Sequence, residues 1–574
     1  MLFILLFCFG LAQAATRQME YLDRGVVAVK VNNGVYLSWR YLGTDQPAIG
    51  FNVYRDGALL NNTPITKSTN YTDEGGSAAS IYVIKSVING IEQETSKSTS
   101  VWSKHYKSLQ LRRPTGNGCT YTPNDISAGD VDGDGEYELI VKWDPSNAQD
   151  NSNSGYTGNV YLDCYKLDGT FLWQIDLGLN IRAGAHYTQF QIYDYDEDGK
   201  AEVACKTAPG TKDGKGDYVL LGSDNPTADY RNSGGYILSG PEYLTIFRGA
   251  TGEEINTIPF NPLRGSVTKA NWGDDYGNRV DRFLACTAYL DGVHPSLVMC
   301  RGYYTQSNLV AYDFKDNQLV QRWEHHSTTS NVGAYGEGYH NLSVADVDFD
   351  GFDEIIYGSA CIDHDGKLYY RKGFGHGDAM HVSQMDPSND DLEGWFIHED
   401  KNSSYGFELR NLRTGDVIFG ENTGTDVGRG LAADIDARYR GFECWSGANN
   451  NVYDSKGQVI STKKPSVNFR VYWDGDLQDE LLDGSIIDKW NGNRTTNLVD
   501  LYNEDYGSSC NGTKKTPCLS ADLLGDWREE IILYNGNDPS KINIYTTTIP
   551  TEHRLFTPMH DAIYRMGIAW QNTA

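Results

Sequence analysis

One acidic turn recurs along this chain, each time between two apolar runs. Its full form reads Asp130-Val-Asp132-Gly-Asp134-Gly-Glu-Tyr-Glu138 before LIVKW, then Asp194, Asp196, Asp198 and Glu202 before VACK, then Asp346, Asp348, Asp350 and Glu354 before IIYG. A divergent copy holds Asp522, Asp526 and Glu530 before IILY, and weaker ones hold Asp434, Asp436 and Glu443, and Asp474, Asp476 and Glu480. Carboxylates at alternate positions converge when such a loop curls, a Gly permits the turn, and a late Glu closes an oxygen shell suited to Ca2+. The turn links strand-like runs and not helices, so it is no EF-hand. Several calcium sites are therefore expected as staples between strands.

A strand–acidic turn–strand unit repeated at irregular spacing argues for an all-β chain of repeated sheets. A four-stranded propeller blade takes roughly 40–50 residues, so the segment from about 109 to 574 has room for seven or eight blades. Residues before about 108 lack the acidic turn. Their alternating runs VVAVKVNNGVYLSWRYL, FNVYRDGALL and IYVIKSVING predict a small fibronectin III-like β-sandwich over 15–108, with Trp39 and Tyr54 in its core. Met1–Ala14, an apolar run closing on Ala-Gln-Ala, reads as a signal peptide, so a secreted, extracellular protein is expected, free of the membrane once the signal is cut.

The 574 residues carry 49 Lys+Arg against 77 Asp+Glu, a net charge of −28. That balance argues against nucleic acid as a partner. Unneutralised, the acidic turns would repel themselves, and bound divalent ions would remove much of the charge. Ten cysteines include Cys8 in the leader, leaving an odd number. Cys510/Cys518 and Cys286/Cys300 could each be bridged in an oxidising compartment or remain buried thiols. No G-x-S-x-G, H-E-x-x-H or P-loop motif occurs.

The stretches around the turns are more specific. PNDISAGDVDGDGEYELIVKWDPSNAQDNS, GYHNLSVADVDFDGFDEIIYG, GHGDAMHVSQMDP, DVGRGLAADID, NGTKKTPCLSADLLGDWREEIILY and IYTTTIPTEHRLFTPMHDAIYRMGIAWQN together resemble the rhamnogalacturonan lyases of polysaccharide lyase family 11, over nearly the whole chain. The resemblance implies an eight-bladed β-propeller behind a β-rich domain, many calcium ions, and a pectic substrate, rhamnogalacturonan I. It implies cleavage of the α-1,4 rhamnose–galacturonate bond by β-elimination, leaving an unsaturated uronate. It also implies a Tyr/Pro-rich segment after IAWQN, which this sequence is expected to lack, and it places Asn124 and Asp144 in the cleft.

Elimination from a uronate needs its carboxylate neutralised, a base for the C5 proton, and help for the O4 leaving group. Lys514 in NGTKK is the expected base, its loop mates Asn511, Gly512 and Thr513 touching sugar. Arg429, between two glycines, suits a bidentate carboxylate clamp. His340 and His376 lie in Gly-rich loops and suit acid, base or calcium-adjacent roles, or only tie strands together. His381 is a weaker candidate, and His325 and His326 read as ordinary strand or loop residues. Asn511 is also a glycosylation sequon, and a glycan there would block the site. A monomer acting within the polymer is expected. The competing readings are a calcium-stabilised binding or adhesion propeller and a two-carboxylate glycoside hydrolase.

Overall fold

A computed structural model describes residues 17–572. The expected signal peptide lies outside the described residues. Among the described residues no helix is long and apolar enough to cross a membrane.

The chain is all-β. The N-terminal part pairs Val27–Val31, Gly34–Ser38 and Asn70–Asp73 in one sheet, and packs it on a second sheet built on Gly50–Arg55 and Ile81–Ile88. Ala28, Val35, Leu37, Trp39, Phe51, Val53, Tyr82 and Ile84 fill the space between them. Trp39 is in the core as expected, but Tyr54 is not. Successive strand residues face opposite ways, so with Phe51 and Val53 inward Tyr54 points out, where its hydroxyl donates to Glu92 (2.5 Å).

From Tyr121 onward seven four-stranded antiparallel sheets follow in chain order, and an eighth closes the series. The eighth takes Leu519–Ala521, Glu530–Asn535 and Lys541–Tyr545 from the C-terminal part, and its outer strand, Tyr106–Gln110, from the N-terminal part. The expected boundary at 108 therefore falls inside a strand: residues 106–108 belong with the C-terminal sheets because they are laced to Lys541–Tyr545. The first strands of sheets one to four pack on one another in turn, as do those of sheets five to seven, and that of the eighth touches that of the first.

Burial follows from this stacking. In the third sheet Phe283–Ala288 and Ser296–Arg301 are buried at every position, because neighbouring sheets cover both faces. The outer strand Val417–Glu421 of the fifth sheet has no buried residue. A helix near the chain's end, Ala562–Trp570, lies against the first strands of sheets one to four. Asp561 caps it by accepting from the Tyr564 N–H, and Arg565, Met566, Ile568 and Ala569 are buried.

The acidic turns follow the first strands, at one end of the sheets. The sandwich and its leading arm sit at that end. Arg17 pairs with Asp353 (2.8 Å), Gln18 donates to Asp194 (3.4 Å), the Asp23 N–H donates to the Gly135 carbonyl (2.9 Å), and Arg40 donates to the Leu523 carbonyl. The opposite end, where first strands begin and second strands finish, is left for the loops described next.

Candidate active site

Lys514, Arg429, His340 and His376 all come just before first strands, and Asp144 stands at the close of a second strand. Backbone topology thus gathers residues distant in sequence at one end of the sheets. Lys514, Arg429 and His340 border a cavity of about 450 Å³ that Asp378, Arg470 and Trp570 also line. His376 stands behind His340, ring centroids 4.8 Å apart, and Asp144 is not among the lining residues.

Gly512–Lys514 forms one 3-10 turn between two left-handed residues, Asn511 (φ 58°) and Lys515 (φ 53°). The Cys510 N–H donates to the Thr516 carbonyl (2.7 Å), and Asn511 Nδ2 donates to Thr516 Oγ1 (2.7 Å), closing the loop. Asn124 Nδ2 donates to Asn511 Oδ1 (3.3 Å), so these two expected residues meet. Gly512 and Thr513 are exposed beside them. Cys510 and Cys518 are free thiols with sulfurs 3.4 Å apart. Cys286 and Cys300 are also free and buried, and in register each faces another residue, Val298 and Leu284.

The Lys514 ammonium makes no hydrogen bond or ion pair among the described residues. Burial lowers its pKa, Arg429 and Arg282 lower it further, and Asp378 and Asp150 act against them. Among the described residues the Arg429 guanidinium donates only to the Gly428 carbonyl (3.0 Å) and makes no ion pair with a carboxylate. In a chain of net charge −28, two neighbouring cations that share the influence of Asp378 but make no ion pair with it keep their donors available for an anion from outside. Asp144 is pushed up to about 6 by burial, with Lys142 opposing and Asp125 adding to the rise.

His340 and His376 belong to an aromatic and acidic cluster that the sequence did not announce. Tyr303 Oη lies 3.1 Å from His340 Nδ1, 3.4 Å from His186 Nδ1 and 3.3 Å from Arg282 Nη1. His376 stacks on Tyr303, and its ring lies 4.0 Å from that of Tyr304. His340, His376 and Asp378 hold ligand atoms within 4.8 Å of one another. His376 Nε2 and Glu399 Oε2 stand 3.2 Å apart, each buried without a hydrogen-bond partner. Burial takes His376 down to about 3, leaving a neutral imidazole with a free lone pair. Orphaned donor atoms on converging side chains fit a bound cation. Tyr303, Tyr304, Arg282, His186 and Glu399 carry no motif; only their places at strand ends mark them.

His381 Nε2 instead lies 3.0 Å from the Gly430 carbonyl, joining adjacent sheets. His325, read as an ordinary strand or loop residue, lies 2.8 Å from both the Gly366 carbonyl and Ser327 Oγ.

At the other end the acidic turns share one device: the late Glu accepts the N–H of the residue after the first Asp. Glu138 does so from Val131 (2.9 Å), Glu202 from Tyr195 (2.9 Å), Glu354 from Val347 (2.8 Å) and Glu443 from Ile435 (2.9 Å). Glu530 repeats it with Leu523, while Glu480 and Glu393 accept from the residue before the turn's first Asp, Trp473 and Met385; sequence reading missed Glu393 because its turn lacks the alternating Asp pattern. The turns differ in counter-charge. Asp194, Asp196, Asp198 and Glu202 have no basic ion-pair partner among the described residues, and burial raises Glu202 to about 9. Asp346, Asp348, Asp350 and Glu354 have only His364, 3.7 Å from Asp350. Glu354 Oε1 is buried and unpaired, and burial raises Glu354 to about 8. These all-oxygen sets fit Ca2+. By contrast Lys166 reaches Asp132 (2.6 Å), Asp134 (3.2 Å) and Glu138 (3.1 Å). Lys489 reaches Asp474 (2.8 Å), Asp476 (2.7 Å) and Glu480 (2.7 Å). Arg438 holds Asp436, beside Asp434, and Arg528 holds Asp526, beside Asp522 (2.5 and 2.7 Å for the pairs).

With this geometry in hand the chain can be set against known proteins. Residues 106–574 match the model of the rhamnogalacturonan lyase family 11 C-terminal domain, and 17–102 that of the rhamnogalacturonan I lyase beta-sheet domain. The rhamnogalacturonan endolyase YesW of Bacillus subtilis is 56% identical over 98% of this chain and 90% of its own length. The exolyase YesX of the same species is 52% identical over 97% and 94%. The crystal structure of YesW superposes with a TM-score of 0.94, covering 98% of this chain and 96% of that one. A Bacillus licheniformis rhamnogalacturonan lyase does so with the same TM-score and coverage, at 56% identity. Such agreement across both parts of the molecule is decisive, and the chain belongs to rhamnogalacturonan lyase family 11.

Proposed function

We propose that this lyase cuts the α-1,4 bond between rhamnose and galacturonate in rhamnogalacturonan I by β-elimination. The observation that carries the reading is the unpaired Lys514 ammonium, its pKa lowered by burial, beside the unpaired Arg429 guanidinium. Arg429 clamps the galacturonate carboxylate, which acidifies the C5 proton. Neutral Lys514 takes that proton. The C4–C5 double bond forms as the C4–O4 bond breaks, and no water is consumed in the sugar product. O4 is axial in galacturonate and anti to H5, so it departs on the face away from Lys514 and takes its proton from water.

A cation held by His340, His376, Asp378 and Glu399 would supply further positive charge towards the uronate when bound. Calcium in the two turns whose alternating Asp and late Glu have no Lys or Arg partner would neutralise buried carboxylates and fix the strand ends. We read the eight four-stranded units as blades of one propeller, which the packing of consecutive first strands supports, and the N-terminal sheets as a fibronectin III-like sandwich. Endo-action, export and a monomer are part of the same reading. For endo-action the support is the somewhat higher identity to a protein named an endolyase than to one named an exolyase.

Incubation with rhamnogalacturonan I should raise ultraviolet absorbance from the conjugated product, with mixed oligosaccharide lengths appearing early. New reducing ends without that absorbance would mean hydrolysis. No product by either measure would leave a binding propeller.

A further inference from the structure

Beyond the cation that meets the scissile uronate, a second one stands at the same end of the sheets without a partner. Arg279 follows the short helix Lys269–Trp272, whose C-cap Gly273 is left-handed (φ 82°). The next turn is tightly held. Buried Asp274 accepts backbone N–H groups from Tyr276 (3.2 Å), Gly277 (3.0 Å), Asn278 (3.2 Å) and Arg279 (2.9 Å). Asn278 Oδ1 in turn accepts from Arg282 Nη2 (2.7 Å). The Arg279 side chain passes so close over Gly273 that a Cβ there would lie 2.0 Å from Nη1.

Both guanidiniums flank the ring of Tyr304, with Arg279 5.7 Å and Arg282 5.3 Å from its centroid. Arg282 is committed to Asn278 and Tyr303, and its carboxylate neighbour Asp150 is 3.5 Å away. Arg279 has no side-chain hydrogen bond or ion pair among the described residues. A rigid backbone that presents a free guanidinium beside an aromatic face, in so acidic a chain, is a ready anion site.

We propose that Arg279, backed by Arg282, binds the carboxylate of a second galacturonate, one backbone repeat away from the bond that is cut. The inference rests on the rhamnogalacturonan reading. In that polymer every second sugar is an acid, so a chain lying past the His376–Tyr304 wall brings its next carboxylate within reach of this end of the sheets. The site would recognise an extended alternating polyanion. It would contribute to affinity and register and not to the chemical step.

The test is initial-rate kinetics on rhamnogalacturonan I and on its oligosaccharides of increasing length, with wild type, Arg279→Gln and Arg279→Lys. For Arg279→Gln on long chains KM should rise about tenfold, the cost of one charge-assisted contact, with kcat held. The penalty should fade on oligosaccharides too short to carry a second galacturonate, Arg279→Lys should recover part of it, and the salt dependence of KM should weaken. Affinity of the same oligosaccharides for Lys514→Met, with and without Arg279→Gln, gives a second readout that needs no turnover. Equal KM and equal affinity at every length would overturn the subsite while wild type still forms conjugated product. Absence of that product from wild type would instead overturn the reading on which the subsite rests.

Discussion

Among the described residues Glu202 and Glu354 are carboxylates buried without a basic ion-pair partner, whereas Lys514, Arg429 and Arg279 are cations that make no ion pair with a carboxylate. The first group lies where first strands end, the second where they begin. An isolated charge held partly out of water costs free energy unless something meets it. The two ends therefore wait for opposite visitors: a small hard cation that stays, and a polymeric anion that is bound, cut and released. The sandwich and its arm pack at the cation end, where permanence is useful. The other end is left open.

The largest expected effect separates the two ends. Lys514→Met should lower the rate of conjugated-product formation by about 10²–10⁴, the usual worth of a positioned base. Melting temperature and its response to chelator should stay as in wild type, because Lys514 holds no structural partner. The pH profile carries a sign. A base must be neutral, and burial with Arg429 and Arg282 lowers the folded pKa below the ordinary lysine value of 10.5, so wild-type kcat should rise with pH through that lowered pKa. If Lys514→Met keeps both rate and profile, the base lies elsewhere in the cleft.

Next in size is removal of divalent ions. A ligand present at about a thousand times its Kd stabilises by about 4 kcal/mol per site, so chelation should lower the melting temperature by several degrees. In the metal-free fold burial raises Glu202 to about 9 and Glu354 to about 8, against 4.5 unfolded. A carboxyl raised on folding favours the folded state fully below pH 4.5, and that favour is lost as pH climbs through the folded pKa. Chelated protein should thus melt at progressively lower temperature between pH 5 and 8, while calcium-loaded protein should not. Parallel melting curves across that range would show that no ion meets these carboxylates.

A smaller effect probes the clamp. Arg429→Lys keeps the charge but not the planar fork, and should raise KM by on the order of tenfold with a lesser fall in kcat. Steady-state kinetics on the polymer decide it; an unchanged KM would mean that a point charge suffices.

The acidic turns were legible because calcium spacing is local: Asp346, Asp348, Asp350 and Glu354 lie within one turn of chain. Their neutralisers were not. Lys166 meets Glu138 only because the two are paired in register across strands, and nothing in linear spacing reports that. The cleft divides the same way. Lys514 and Arg429 stood out through their loops and the family resemblance, but Tyr303, His186, Arg282 and Glu399 converge from three other sheets. Tyr54 failed by parity: one step along a strand reverses the face, and alternation alone did not say which aromatic was inside.

One turn tests the contrast within itself. Lys489 places its ammonium 2.7–2.8 Å from Asp474, Asp476 and Glu480, as a cation supplied by the chain. In Lys489→Met those three carboxylates would face one another, with Glu480 fully buried, much as Asp194, Asp196 and Glu202 do. The substitution should then exchange a built-in ion for a borrowed one. Mass spectrometry of dialysed protein should find one more calcium per chain than in wild type. The melting temperature should hold in calcium and fall by about 1–3 °C further than wild type in chelator, the scale of a partly exposed ion-pair network in a chain this long. An equal loss of stability with and without calcium, at unchanged metal content, would mean that the turn's backbone is shaped to an ammonium and cannot accept the ion that its neighbours are built to hold.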